Sequence, residues 1–578
     1  MNIKYCKHDR NKRRPALRRG SGLAAICMAA VAFVSGARLA TANILDAKRG
    51  FGEVGTSYDS LQASGAGWYY TWGTNPGTPG NYNADFYPMF WSAPSQTTIN
   101  SVVAMNPNYV LGFNEPENPD QANMTVAQAI TSWKQISAAF TGTSTQLVSP
   151  AVADSPTGQS WLEQFMSQAK ADNLKVNAVA FHWYDASTPK DPGASASQFI
   201  DAVNWYHDTF KLPVFITEFA INDWYGGYTA AQMQAGNQQF LNDVLPQLNS
   251  LSYVAGYSFY SWFPNTPLIS GSPLTPTPMA YNYVGAVTSG STANISGQDL
   301  GEHVAYLAGG TLTMNNQPGT VKYIDALANT STITGGIDWS LDPASNSDWV
   351  RVSAGATLVK AGSNTITLGQ GTITDDGTII VTQGALNIGA PITGSGAVKV
   401  TGGTFIVGST IGNPVTIGTG GVLAGGGSIT STVTVDGTIK AGRATAPETL
   451  NIQTLKIDNG SKIILVLNTP NTAAGTDGNS LIDAGNLTLG ADVTLSLMHG
   501  YNFGAGVYHL LNATGTITGI NNLDSWVITG PAPFTYKLSD PAGAINLTVT
   551  AAPEPTAFCL LLLGAMALTL RRRRAQAD

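Results

Sequence analysis

The sequence predicts a multidomain protein: a (β/α)8 TIM barrel followed by an all-β region of the parallel β-helix or solenoid kind. Three observations lead there. The chain is 578 residues long, too long for one ordinary core. Nine of its 12 tryptophans fall between residues 68 and 262. After about residue 290 the composition turns to Gly, Thr, Val, Ile and Asn, with few aromatics.

Residues 43–288 carry the barrel pattern. Strand candidates lie at 51–54, 67–72, 85–91, 109–114, 146–152, 176–184, 213–219 and 254–262. Helical spacing recurs between them. Over 125–140, Val126, Ile130, Trp133, Ile136 and Phe140 share one face, and 160–173, 196–210 and 230–248 read alike. Eight strands, each followed by a helix or loop, point to a closed barrel, with a doubly wound sheet as the alternative. No Gly-rich phosphate turn follows the first strands.

Residues 289–300 are small and polar and read as a linker. Over 301–550, short β-branched runs alternate with Gly and Asn-Gly turns, as in 377–389, 418–430 and 433–442. Such imperfect repeats suit stacked rungs that bury Ile, Val and Leu. They resemble autotransporter passenger repeats, although no translocator barrel follows. A β-sandwich is the alternative for 450–550, where the rungs lose regularity.

Both ends read as addresses. Residues 1–42 have a basic start, an apolar stretch from Leu23 to Val34 and a small-x-small site at Ala40-Thr41-Ala42. This is the pattern of a secretory signal peptide, cut before Asn43. The competing reading is an uncut membrane anchor. Residues 551–578 hold Pro553-Glu554-Pro555, an apolar segment over 556–570 and four arginines, Arg571 to Arg574. This tripartite end resembles the PEP-CTERM sorting signal. The resemblance implies recognition by an exosortase, transient membrane association and delivery to the bacterial envelope, surface or extracellular matrix. A plain tail anchor is the alternative.

Charge and cysteine count narrow the function. The formal net charge is −7. Nine of the 29 basic residues lie in 1–42 and four more at 571–574, which leaves 16 basic against 34 acidic between. Such a body suits neither nucleic acid nor a polyanionic substrate. The three cysteines, Cys6, Cys27 and Cys559, all lie in the two end signals. No thiol nucleophile or Cys-ligated metal is therefore expected. The six histidines form no ligand spacing, and no Gly-x-Ser-x-Gly elbow is present. We expect neither metal nor cofactor.

In such a barrel the reactive groups sit at the C-terminal ends of the strands. Strand 4 ends in Asn114-Glu115-Pro116-Glu117 and strand 7 in Thr217-Glu218-Phe219. Two carboxyls at a barrel mouth are what glycosidic cleavage needs: one held protonated to release the leaving oxygen, one ionised. Glu117 and Asp120 lie further along and read as loop polar groups. Alternation in strand 6 puts His182 and Tyr184 on one face, where they would orient the nucleophile or a sugar hydroxyl. Trp72, Tyr260 and Trp262, at the ends of strands 2 and 8, are candidate sugar-binding aromatics. Trp68, Trp91 and Trp224 read as either sugar contacts or packing. Trp133, Trp161 and Trp205 read as core.

Taken in order, Lys48-Arg49-Gly50, Gly67-Trp68-Tyr69-Tyr70-Thr71-Trp72, Gly112-Phe113-Asn114-Glu115-Pro116-Glu117, His182-Trp183-Tyr184 and Thr217-Glu218-Phe219 resemble glycoside hydrolase family 128. The resemblance spans about 46–288 and places the chain near the large retaining glycosidase clan. It implies a hydrolase of β-1,3-glucan, mostly endo-acting with retention. It further implies Glu115 as acid/base, Glu218 as nucleophile and Asn114 as the partner of a sugar 2-hydroxyl. The competing function is a surface adhesin whose barrel binds glycan without cutting it.

Overall fold

The computed structural model describes residues 40–41 and 44–552, apart from 186–190, 225, 297, 316–320, 342–346, 444 and 477. The signal-peptide reading of 1–42 falls almost wholly outside the described residues, and so does that of the PEP-CTERM end at 551–578, of which only 551 and 552 are described. Among the described residues no helix is long and apolar enough to cross a membrane. The chain divides into two compact units at residue 292.

The first unit is a ring of eight parallel strands. They are β1 (Gly50–Gly52), β2 (Trp68–Tyr70), β3 (Asp85–Phe86), β4 (Tyr109–Val110), β5 (Gln146–Ala153), β6 (Ala178–Asp185), β7 (Val214–Ile221) and β8 (Val254–Phe259). β1 to β3 pair in order, as do β4 to β8. Parallel bridges from Met89 to Leu111 and from Arg49 to Tyr257 close the gaps. The strand candidates all fall on this ring, most of them trimmed at the mouth. Trp68, Tyr70, Tyr87 and Phe215 fill the interior, with Trp68 stacked on Tyr87 at 5.0 Å. Trp68 is therefore packing rather than a sugar contact.

Six helices are described around the ring: α1 (Tyr58–Ser64), α2 (Gln96–Met105), α3 (Val126–Ala139), α4 (Pro156–Ala171), α5 (Pro192–Phe210) and α6 (Ala230–Ser250). The regular alternation of a full (β/α)8 ring is thus incomplete. No helix follows β2, where Gly73, Pro76, Gly77, Pro79 and Gly80 break any helical period. A short 3-10 turn, Pro278–Ala280, follows β8. α4 and α5 begin four residues before the expected starts. Pro156 and Pro192 stand at N1 behind capping Ser155 and Asp191, so these prolines open helices rather than bar them.

The second unit is all β. One parallel ladder joins Val304–Ala308, Tyr323–Ala326, Trp349–Val352, Thr372–Asp375 and Ile392–Thr393. A second joins Thr311–Met314, Thr330–Thr334, Thr357–Lys360 and Thr378–Val381. A third joins Trp339–Ser340, Thr365–Leu368 and Ala385–Ile388, and its successors reach Val527–Thr529. Alternate residues are buried, so Ile366, Leu386, Phe405 and Leu423 stack in register inside. Tight corners need glycine: at Gly371, with φ +84°, a Cβ would lie 1.9 Å from the Asp348 carbonyl. Parallel pairing runs through 450–529, which departs from the β-sandwich alternative. Antiparallel pairing appears mainly at the end, between Gly506–Ala513, Phe534–Ser539 and Ala544–Ala551. The stretch expected as linker is not free of structure, since Ser291–Ile295 is a strand.

Candidate active site

The end of β4 is held open by its neighbours. Leu111 bridges Met89, and Asn114 bridges Ala151. Gly112 passes so close to β5 that a Cβ would sit 2.6 Å from the backbone of Ser149 and Pro150. Phe113 turns outward onto Trp133, edge to face at 5.6 Å. The chain then kinks. Glu115 has φ +39°, a left-handed conformation that costs a non-glycine residue about 1–3 kcal/mol. Its N–H donates to the Ala151 carbonyl at 2.7 Å, which holds the strain in place. Trp72, with φ +54°, is the second such residue at the mouth.

Glu218 is aimed inward by broken strand register. Phe215 points into the barrel, against Trp68 and Tyr109. Strict alternation would then send Glu218 toward the helices. The β7–β8 register breaks between Ile216 and Phe219, and the β6–β7 register between Phe181 and His182. Phe219 thereby packs outward on Phe199 and Phe240, and Glu218 faces the mouth. β6 keeps its alternation. Phe181 and Trp183 pack on Tyr206 and Phe240, leaving His182 and Tyr184 inside.

These elements converge on one cluster. The His182 Nδ1 lies 2.9 Å from Glu115 Oε1 and 3.5 Å from Glu218 Oε2. Asn118 Nδ2 donates to Glu115 Oε2 at 3.1 Å. Trp72 Nε1 donates to Glu218 Oε1 at 2.7 Å, and the Tyr184 hydroxyl to Oε2 at 2.5 Å. Tyr260 packs edge-on against both Trp72 and Tyr184, at 6.1 and 5.6 Å. Trp262 lies 6.0 Å from Trp72 and is 49% exposed. Asn114 is buried beside Glu115 and donates to Gln121 at 3.1 Å. The eight residues singled out from sequence therefore meet in one place.

Burial raises Glu115, but the hydrogen bond and charge of His182, with Asn118, bring it below the usual carboxylate range. Burial and the Glu115 charge hold Glu218 above its ordinary value, against the pull of His182, Tyr184 and Trp72. Burial pulls His182 down, yet the surrounding carboxylates lift it above its ordinary value. Burial pushes Tyr260 up to about 12. Glu115, His182 and Glu218 lie within reach of one another, so a proton entering the cluster is shared among them rather than owned.

Among the described residues Glu115, His182 and Glu218 are the one group close enough to hold an ion, their ligand atoms lying within 4.8 Å of one another. Their chemistry argues otherwise. All four carboxylate oxygens already face N–H or O–H groups, which a cation would have to displace.

Two further residues escaped the sequence reading. Asn118 stands three positions after Glu115, and nothing in its type marked it. Glu117 is no solvated loop group, unlike exposed Asp120: its Oε1 accepts from the Ala153 N–H at 2.7 Å. Burial raises its carboxyl to about 7. Trp224 also joins the rim, edge to face with Tyr184 at 5.7 Å, whereas Trp91 is 37% exposed. Trp133 and Trp161 are buried as expected.

A parallel ring with two buried carboxyls under an aromatic rim defines a catalyst of glycosidic-bond chemistry. Residues 51–283 match the family model described as glycosyl hydrolase catalytic core, and the protein is a glycoside hydrolase. No curated protein matches this sequence. Among solved structures, a GH128 subgroup I endo-β-1,3-glucanase from Amycolatopsis mediterranei, in complex with laminaritriose, aligns at 29% identity, covering 41% of this chain and 99% of its own, with a TM-score of 0.36. A GH128 subgroup II endo-β-1,3-glucanase from Sorangium cellulosum aligns at 22% identity over 41% of this chain and 97% of its own, TM-score 0.35. A curdlan-specific GH128 subgroup III exo-β-1,3-glucanase from Blastomyces gilchristii, in complex with glucose, aligns at 23% over the same shares, TM-score 0.34.

Proposed function

We propose that the protein is an exported hydrolase of β-1,3-glucan that works by double displacement with retention. The observation that carries the mechanism is the closeness of the pair. One oxygen of Glu115 and one of Glu218 lie within 4.8 Å. Retaining enzymes hold their carboxyls about 5–5.5 Å apart, while inverting ones leave about 6.5–9.5 Å for a water.

The donors around each carboxyl favour the division of roles that the family resemblance implies, against the directions of titration, which set Glu218 above Glu115 in the free protein. Trp72 donates to Glu218, and the Tyr184 hydroxyl spends its proton there too, which suits an ionised nucleophile. Glu115 faces His182, whose ring nitrogen can give or take a proton. The proton for the leaving oxygen is held across that bond. Glu218 attacks the anomeric carbon while Glu115 protonates the departing oxygen, leaving a glycosyl ester on Glu218. The ester carries no charge, so Glu115, ionised by giving up its proton, takes one from a water whose oxygen attacks the ester, which frees the sugar and returns Glu218 as a carboxylate. Trp72, Tyr260 and Trp262 offer ring faces and edges to the sugars, and Asn114 a 2-hydroxyl contact.

The linkage rests on the spaced motifs shared with family 128. The two end signals support export and sorting by an exosortase. The parallel ladders support a β-solenoid that serves as spacer or stalk on the outside of the cell. Product release from laminarin, beside cellulose, xylan and mannan, tests the substrate. Proton NMR of the first products tests the stereochemistry. β-Configured oligosaccharides from laminarin are expected, and α-products would mean inversion. No release from any glycan would leave a binding barrel. Mass spectrometry of the mature chain should find Asn43 at its N-terminus.

A further inference from the structure

We propose that Glu117 is a positioning residue that sets the charge on His182 and, through it, the proton on Glu115. The inference rests on the hydrolytic reading above. Glu117 reaches back from the loop after β4 to the end of β5. Its Oε1 takes the N–H of Ala153, which is the register partner of His182 on β6. Among the described residues its Oε2 is buried with no hydrogen-bond partner, as is His182 Nε2. An oxygen in that state is better off protonated than charged. Gly158, in the first turn of α4, leaves only 3.0 Å between a would-be Cβ and Glu117 Oε1, so the carboxyl is boxed in.

The charged and titratable groups facing it are few. Glu115 lies on its own loop and pushes it up, while His182 on β6 pulls it down. Behind stand Asp154, after β5, and Tyr206 on α5, both held above their ordinary values chiefly by burial. Among the described residues neither Glu117 nor Asp154 pairs with a lysine or arginine. The tie to Ala153 needs only a carbonyl oxygen, which glutamine would supply equally. What glutamate adds is a charge that switches on near neutral pH. Once negative, Glu117 favours the His182 imidazolium, so the one proton shared across the His182–Glu115 bond is held to higher pH.

Two experiments on the full-length protein test this. In the first, kcat/KM on laminarin is followed against pH for wild type and Glu117→Gln. The alkaline limb should move to lower pH by roughly one unit, with KM unchanged and Tm not lowered. Coincident limbs would overturn the proposal, and a purely structural tie would lower Tm or raise KM instead. The second leaves Glu117 intact. Infrared spectra of carboxyl-labelled glutamate in the Glu218→Gln protein should lose a protonated-carboxyl band at about pH 7. Absence of that band would overturn the proposal even if Glu117→Gln failed to fold. An inert wild type would defeat the glucanase reading, while the infrared arm would still decide how Glu117 titrates.

Discussion

Two sets of buried polar groups, one in each unit, are held in opposite ways. In the first, Glu115, Glu218 and His182 are almost fully buried and lean on one another. In the second, Lys360 is fully buried, but its Nζ donates to three backbone carbonyls, those of Ala361, Gly362 and Gln383, at 2.9–3.1 Å. Ser461 and Ser480 likewise spend their hydroxyls on backbone. A buried group saturated by backbone stiffens the fold and has nothing left to react with. A buried group set beside other titratable groups can pass its proton among them, which is the state acid–base work requires.

The sharpest break of that comparison is to remove one member of the proton-sharing set. Glu218→Gln should lower turnover by at least about a thousandfold, because no other group in reach can form the covalent intermediate. Turnover within tenfold of wild type would move the nucleophile elsewhere. A change to the saturated set should act on stability instead. Lys360→Ala would take the donor from three backbone carbonyls and leave a hole where its stem packs, and should cost roughly 1–3 kcal/mol by urea unfolding. Leu386→Ala, in the stacked interior, should cost about 2–5 kcal/mol by the same measurement. Activity loss from either, with the second unit still folded, would erase the distinction drawn here.

At the rim, Trp262→Ala should raise KM several-fold with kcat nearly unchanged. An aromatic face exposed at the mouth contributes on the order of 1 kcal/mol to binding. A fall in kcat with unchanged KM would place Trp262 among the groups that act in the transition state.

Much of this was legible in the sequence because period and position carry it. Alternation alone placed His182 and Tyr184 on one face, and strand ends alone picked out Glu115 and Glu218. What stayed hidden depends on breaks in pattern. The irregularity between Ile216 and Phe219 reverses the inside and outside of β7, and no residue type announces it. Strict counting from Phe215 would have pointed Glu218 the wrong way. The starts of α4 and α5 lie four residues before the apolar spacing indicates, because the first turn opened by Pro156 or Pro192 carries little of the apolar stripe. Glu117 was misjudged because its burial comes from Ala153 and Gly158, which are 36 and 41 positions further along the chain.

The smallest expected effect is the most telling about cost. Glu218 is held above its ordinary value, so the folded state keeps its proton more tightly than the unfolded chain does. Its contribution is fully present below the unfolded carboxylate range and is lost as pH rises through the folded value. At neutral pH and above, the ionised Glu218 therefore works against folding. Glu218→Gln removes that charge. Its amide oxygen can still accept from Trp72, and its amide N–H can donate to the Tyr184 oxygen. The variant should be more stable than wild type at neutral pH by about 1 kcal/mol, and equal to it in acid. Paired Tm measurements at acid and neutral pH would check this. A variant less stable at both would mean that Trp72 and Tyr184 already hold the carboxylate at no net cost, and that the first unit is as settled as the second.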